Sequence, residues 1–150
     1  MKPSLQHASI LAALFCISAA PAVAAEKIGA GKTAQAAKSR VAIQVNEESV
    51  KKWNEVLVNI RNIQAELGPK NVAVALVAIG PGLGMLTAES LAANGVQDAL
   101  AAGVEFVACG NTMKALKIPR EDLIEGVKVS AAGYVELMRR QQAGWVYLRP

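Results

Sequence analysis

Cys109 is the residue of this chain best placed to do chemistry of its own. It stands in the run Ala108-Cys109-Gly110-Asn111-Thr112, where an apolar segment of strand type gives way to a short helical one. Amides at a helix start point outward and carry partial positive charge. A cysteine there has its thiolate favoured and its thiol acidified. Gly110 lets backbone approach closely, and Asn111 or Thr112 can cap the helix. Such a thiol could attack sulfane sulfur or a disulfide, or hold a persulfide. The alternative is a small buried hydrophobe, because free cysteine is among the most buried residue types.

The residues that could assist Cys109 are few. His7 is the only histidine, and Cys16 the only other cysteine of the chain. Both fall in a segment with the layout of a signal peptide over residues 1–25. Lys2 supplies the positive charge, Ala8 to Ala20 an uncharged apolar run, and Ala22 and Ala24 the small residues of a cleavage site. The run is shorter than the roughly 20 residues of a membrane span. Phe15 directly before Cys16 argues against lipid attachment there. The mature protein is therefore expected in the periplasm, free of the membrane, with Cys109 as its one thiol and no histidine. That excludes an internal disulfide, a Ser-His-Asp or Cys-His pair and a Cys/His zinc site within one chain. An unpaired cysteine in an oxidising compartment pairs with another molecule, reacts or is buried.

A second loop, Gly80-Pro81-Gly82-Leu83-Gly84, follows another apolar run. Gly80-x-Gly82 opens a dinucleotide fingerprint, but Met85 occupies the place of the third glycine, and the loop follows the second strand of the domain. Gly29-Ala30-Gly31-Lys32-Thr33 likewise resembles the end of a P-loop but has Glu26 where a glycine is required. No nucleotide, metal or other cofactor is expected. The glycine loop is instead read as a tight turn whose amides line a small pocket beside Cys109 for an anion or a thiol adduct. Glu105 points opposite to Val104 and Phe106, and no pair of acids can be placed in one site. The formal charge of +4 is scattered, with short pairs at Lys51-Lys52 and Arg139-Arg140. Solvated helix faces explain it better than a nucleic-acid footprint.

With 150 residues, 53% hydrophobic and only 4% aromatic, the chain supports one domain with an aliphatic core. Residues 26–39 read as a flexible leader. From Val41 the patterns alternate. Val41, Ile43 and Val45 form a strand, and a helix from Val50 to Leu67, capped by Asn46, ends at Gly68-Pro69. Val72 to Ile79 is a strand buried on both faces. A helix around Val96, Ala99 and Leu100 precedes a strand from Val104 to Cys109. A short helix spans Met113 to Lys117, a turn Arg120 to Ile124 and a strand Val127 to Ala131. Tyr134, Leu137, Met138 and Gln141 mark the last helix, and Trp145 to Leu148 an edge strand. Repeated crossovers of this kind give a parallel sheet with helices on both faces and sites at the carboxyl ends of the strands.

Gly80-Pro81-Gly82-Leu83, the run Gly103-Val104-x-Phe106-x-Ala108-Cys109-Gly110-Asn111-Thr112-Met113, Gly126-Val127, and the ending from Arg139-Arg140-Gln141 to Gly144-Trp145 together resemble the DsrE/DsrF-like family, in an exported branch. The resemblance covers residues 40–150. It implies a three-layer α/β/α fold with a five-stranded, mainly parallel sheet, and assembly into trimers or hexamers. It also implies that Cys109 matches the cysteine that, in sulfur-relay members, accepts sulfane sulfur as a persulfide and passes it to a thiol-bearing partner. The expected function is a periplasmic sulfur carrier or thiol-exchange protein, active through a single cysteine if it is an enzyme at all. The rival is a non-catalytic oligomeric binding or scaffold module, with a small-ligand or anion pocket formed by Gly80, Gly82, Leu83, Gly110, Asn111 and Thr112.

Overall fold

Residues 39–150 are described by the computed structural model. The expected signal peptide, and the leader up to residue 38, lie outside the described residues. The first strand, β1, is Ser39–Val45, so pairing begins two residues before Val41, where the Ser39 amide donates to the carbonyl of Asn71 at 2.9 Å. Helix α1, Val50–Leu67, is capped by Ser49 rather than Asn46. The Ser49 hydroxyl accepts from the Lys52 amide at 3.3 Å. The apolar face starts only at Val50, so the cap falls immediately before it, and Glu47 and Glu48 precede the helix. The carbonyl of Glu47 instead takes the Trp53 indole N–H at 2.8 Å, which lets this large ring be buried with its polar atom satisfied.

Strand β2, Val72–Ala78, follows, and then the glycine loop. The loop is not an open turn: Gly80–Leu86 winds as a 3-10 helix. Helix α2 is Ala93–Ala101, strand β3 Glu105–Cys109 and helix α3 Gly110–Leu116. Arg120–Asp122 is a second short 3-10 turn, followed by strand β4, Lys128–Ser130, helix α4, Gly133–Gln142, and strand β5, Val146–Leu148. The five strands form one sheet in the order β4-β3-β2-β1-β5, with every neighbouring pair parallel. The strand whose sequence reads as buried on both sides is the central one, and β5 lies at an edge.

This order explains the layers. The chain lays β1 to β4 side by side in one direction, with α1, α2 and α3 packing on one face of the sheet. There Val41, Ile43 and Val45 meet Leu76, Phe106, Trp53, Leu57, Ile60 and Val96 in the main core. To reach β5 the chain must return past β1, and α4 makes that crossing on the opposite face. The second core is correspondingly small: Ala42, Val77, Ile79, Val107 and Cys109 under Leu137 of α4, flanked by Trp145 and Tyr147. Of the four residues expected to mark α4, Leu137 is buried, whereas Tyr134 and Met138 are exposed and Gln141 is exposed too. Gly133, Leu137 and Arg140 form the inward side instead.

The 3-10 segment is pressed hard onto β1. A Cβ at residue 82 would lie 2.5 Å from the carbonyl oxygen of Val45, a backbone contact with little freedom to yield. Gly82→Ala is expected to cost about 1–3 kcal/mol of stability, in the range of overpacked core sites. A urea titration should show a lower midpoint at unchanged slope, and an unshifted midpoint would refute this packing.

Candidate functional site

β3 passes into α3 without an intervening loop, so the helix starts at Gly110 rather than Met113 and Cys109 is itself its N-cap residue. Neither Asn111 nor Thr112 caps the helix, because both already lie inside its first turn. The Cys109 side chain projects to the α4 face of the sheet. There the first amide of α4, that of Gly133, donates to Sγ at 3.2 Å. The sulfur thus sits where two helices begin, and both present amide dipoles to it.

Gly133 is what permits this approach. A Cβ at residue 133 would lie 2.7 Å from Cγ1 of Ile79 and 3.0 Å from Cβ of Cys109. Thr112, buried beneath the same site, links the two loops that the sequence singles out. Its hydroxyl accepts from the Gly80 amide at 2.9 Å and is among the groups that lower the Cys109 pKa. With its oxygen accepting from Gly80, the hydroxyl has its own proton left to offer the sulfur, the direction that stabilises a thiolate. Burial on its own pushes the thiol up. The Thr112 hydroxyl and the amides of Gly133, Thr112 and Asn111 outweigh it, so the Cys109 pKa is held below the ordinary thiol range. The residue is only 4% exposed.

The other expected site residues take different places. Gly80 joins the site through Thr112. The amide of Gly82 donates to the carbonyl of Ile79 at 3.2 Å, and Leu83 is fully buried in the main core. Gly110 lies against β4, where its Cβ would come 3.1 Å from the carbonyl oxygen of Ser130, and the Asn111 amide donates to the carbonyl of Ala131 at 3.1 Å. A cavity of about 400 Å³ opens beside the site, lined by Gly110, Met113, Lys114, Lys117, Ile118, Pro119 and Val129. Cys109 is not in its wall, so this cavity is not the thiol pocket the glycine loop suggests.

Sequence reasoning misses three contributors. Gly133 is visible there only as a small residue before a helix. Glu105 reads there as a lone acid within a strand, and Arg140 as part of a solvated helix face. Yet Glu105 is four residues before Cys109 on the same strand and therefore on the same face, and Arg140 lies on the one helix covering that face. Their side chains are ion-paired. Lys128 Nζ completes the pairing of Glu105 at 2.9 Å. Burial alone would raise the carboxyl of Glu105, but Lys128 and Arg140 overcome it and hold the pKa below the usual carboxylate value.

The model of the DsrE/DsrF-like family matches residues 13–150. Among solved structures, MTH1491 from Methanobacterium thermoautotrophicum, a protein of unknown function, is 34% identical, with 75% of this chain and 99% of that chain covered and a TM-score of 0.72. BT1422 from Bacteroides thetaiotaomicron, also a conserved protein of unknown function, is 13% identical over 78% of this chain and 99% of that one, at a TM-score of 0.63. The latter likeness concerns the fold alone. No functionally curated protein matches.

The hydrogen bonds to Sγ predict the pH dependence of alkylation. Because the folded thiol titrates below its unfolded value, its thiolate should appear at lower pH in the native protein than in the denatured one. Thr112→Val removes the hydroxyl that helps hold the thiol pKa down, so the midpoint of iodoacetamide reaction should move upward and the rate at neutral pH fall roughly tenfold or more, as for loss of one hydrogen bond to a charged group. Thr112→Ser should restore most of the rate. Equal midpoints for Val and wild type would show that the hydroxyl does not act on the sulfur.

Proposed function

The chain belongs to the DsrE/DsrF-like family, and from that premise we propose that it is a sulfur carrier or thiol-exchange protein working through Cys109. The observation that carries the reading is the sulfur's place at two helix starts, with the first amide of α4 donating to it at 3.2 Å. That arrangement favours the anion, which is both the attacking and the leaving form in sulfur transfer.

With a persulfide donor the step is balanced without an added oxidant or reductant. The Cys109 thiolate attacks the outer, sulfane sulfur. A new S–S bond forms at Sγ, the donor's own S–S bond breaks, and the donor departs as a thiolate carrying the electron pair. In the return step an acceptor thiolate attacks the outer sulfur of the Cys109 persulfide, and Cys109 leaves as thiolate, again aided by its amides. The acceptor thiol must come from a second molecule, since Cys109 is the one free cysteine among the described residues. Reaction with a donor of any size requires the first turn of α4 to move away from the sulfur. Export to the periplasm is part of the same proposal, supported by Lys2, the run Ala8 to Ala20 and the small residues Ala22 and Ala24. Assembly with further copies is supported by the exposed Tyr134 and Met138 of α4.

One observation favours a second reading, a non-catalytic binding or scaffold module: Cys109 is only 4% exposed, as an inert cysteine would be. The two separate in one experiment. Mature protein is incubated with a persulfide donor and weighed intact, beside Cys109→Ser. Gain of one sulfur atom by the wild type and not by the variant is the expected result. No gain, with Cys109 unreactive to alkylation until the protein is denatured, would overturn the carrier reading and leave the module.

A further inference from the structure

The geometry points to Arg140 as a positioning residue for the Cys109 sulfur: its clamp on Glu105 fixes where α4 stands along β3, and so how closely the Gly133 amide approaches Sγ. The consequence for sulfur transfer rests on the reading above, whereas the coupling itself rests on how α4 is attached.

α4 is pinned to β3 at two places. Glu105 and Cys109 are four residues apart on the strand, about 13 Å, with side chains on the same face. Gly133 and Arg140 are seven residues apart on the helix, about 10 Å and close to two full turns, so they too share a face. The length of the arginine side chain makes up the difference. One end of the helix therefore meets the sulfur through an amide, and the other end meets the carboxylate through a guanidinium. Leu137 fills the core between them.

The guanidinium is held on several sides. Its Nε donates to Glu136 Oε1 at 2.8 Å, and it is ion-paired with Glu105. Its carbon lies 4.6 Å from the centre of the Trp145 ring. The backbone carbonyl of Arg140 accepts from the Trp145 amide at 3.0 Å. Glu105 is in turn fixed by Lys128 of β4. Only a planar group can serve two carboxylates and stack on a ring at once, which lysine cannot reproduce. At the other end there is little slack, since the Gly133 amide is 3.2 Å from the sulfur and even a Cβ at residue 133 would lie 2.7 Å from Ile79. A displacement of α4 along β3 therefore changes the hydrogen bond to sulfur directly.

The test separates positioning from charge. Alkylation of Cys109 is followed against pH in the wild type, Arg140→Lys, Arg140→Gln and Glu105→Gln. Positioning predicts an upward shift of the midpoint in all three variants, with a loss of roughly fivefold in rate at neutral pH, the order for weakening one hydrogen bond to charged sulfur. Direct electrostatics predicts the opposite for Glu105→Gln, because removing a negative charge eases ionisation of the thiol, and predicts no change for Arg140→Lys. A downward or absent shift in Glu105→Gln together with a wild-type midpoint in Arg140→Lys would overturn the proposal. Ile60→Val, destabilised in the other core, should keep the wild-type midpoint; a shift there equal to that of the Arg140 variants would also overturn it, by tracing the effect to lost stability. Should Arg140→Gln not fold, the other two variants carry the same contrast. Because the midpoint does not depend on sulfur uptake, a wild-type protein that takes up no sulfur while the variants shift as expected would remove the proposed function and keep the positioning role.

Discussion

An anion of sulfur can exist under a folded chain only where enough hydrogen-bond donors replace the water it has lost. At Cys109 three separate parts of the chain meet for this. Asn111 and Thr112 lie in the first turn of α3, Gly133 donates the first amide of α4 to the sulfur, and the Gly80 amide donates to the Thr112 hydroxyl. Each depends on a backbone approach that an extra carbon would obstruct or on a strand ending at the right residue. β3 stops at Cys109 so that α3 can begin, and residue 133 lacks a side chain so that α4 can come down on the sulfur.

The two faces of the sheet do different work. The side covered by α1, α2 and α3 holds the large core that makes the domain stable. The side covered by α4 buries few residues, and it is there that the thiol and the charged cluster lie. Segments with small apolar contact areas open more readily than the core. A thiol under a single helix can therefore be shielded at rest and uncovered by local opening, without the whole fold having to unfold. The Arg140 cluster adds orientation to that face where apolar contact is scarce.

The parallel sheet and nearly every strand are legible in the sequence because continuous apolar runs broken by glycine suit few elements besides buried parallel strands, and because motifs around Gly80 and Cys109 carry a family resemblance. Local geometry is less so. Asn46 and Ser49 are both good caps, and only the start of the packed face at Val50 decides between them. Gly80 to Gly84 reads as a turn in sequence, yet contact of Gly82 with β1 winds it into a 3-10 helix. The apolar letters Tyr134 and Met138 suggest the inner side of α4, but a glycine and an arginine turn inward with Leu137. No periodicity announces that, because the partners, Cys109 and Glu105, are more than twenty residues away. The candidate thiol is thus readable, while the residues that hold it in place are not.

The route of the chain from β4 to β5 divides the sequence as well as the sheet. Every buried residue of the larger core lies at or before Val127, whereas the helix over Cys109 and the arginine that seats it belong to the last stretch of the chain. Truncation ahead of α4 would therefore strip the cover from the sulfur while removing no residue of the larger core.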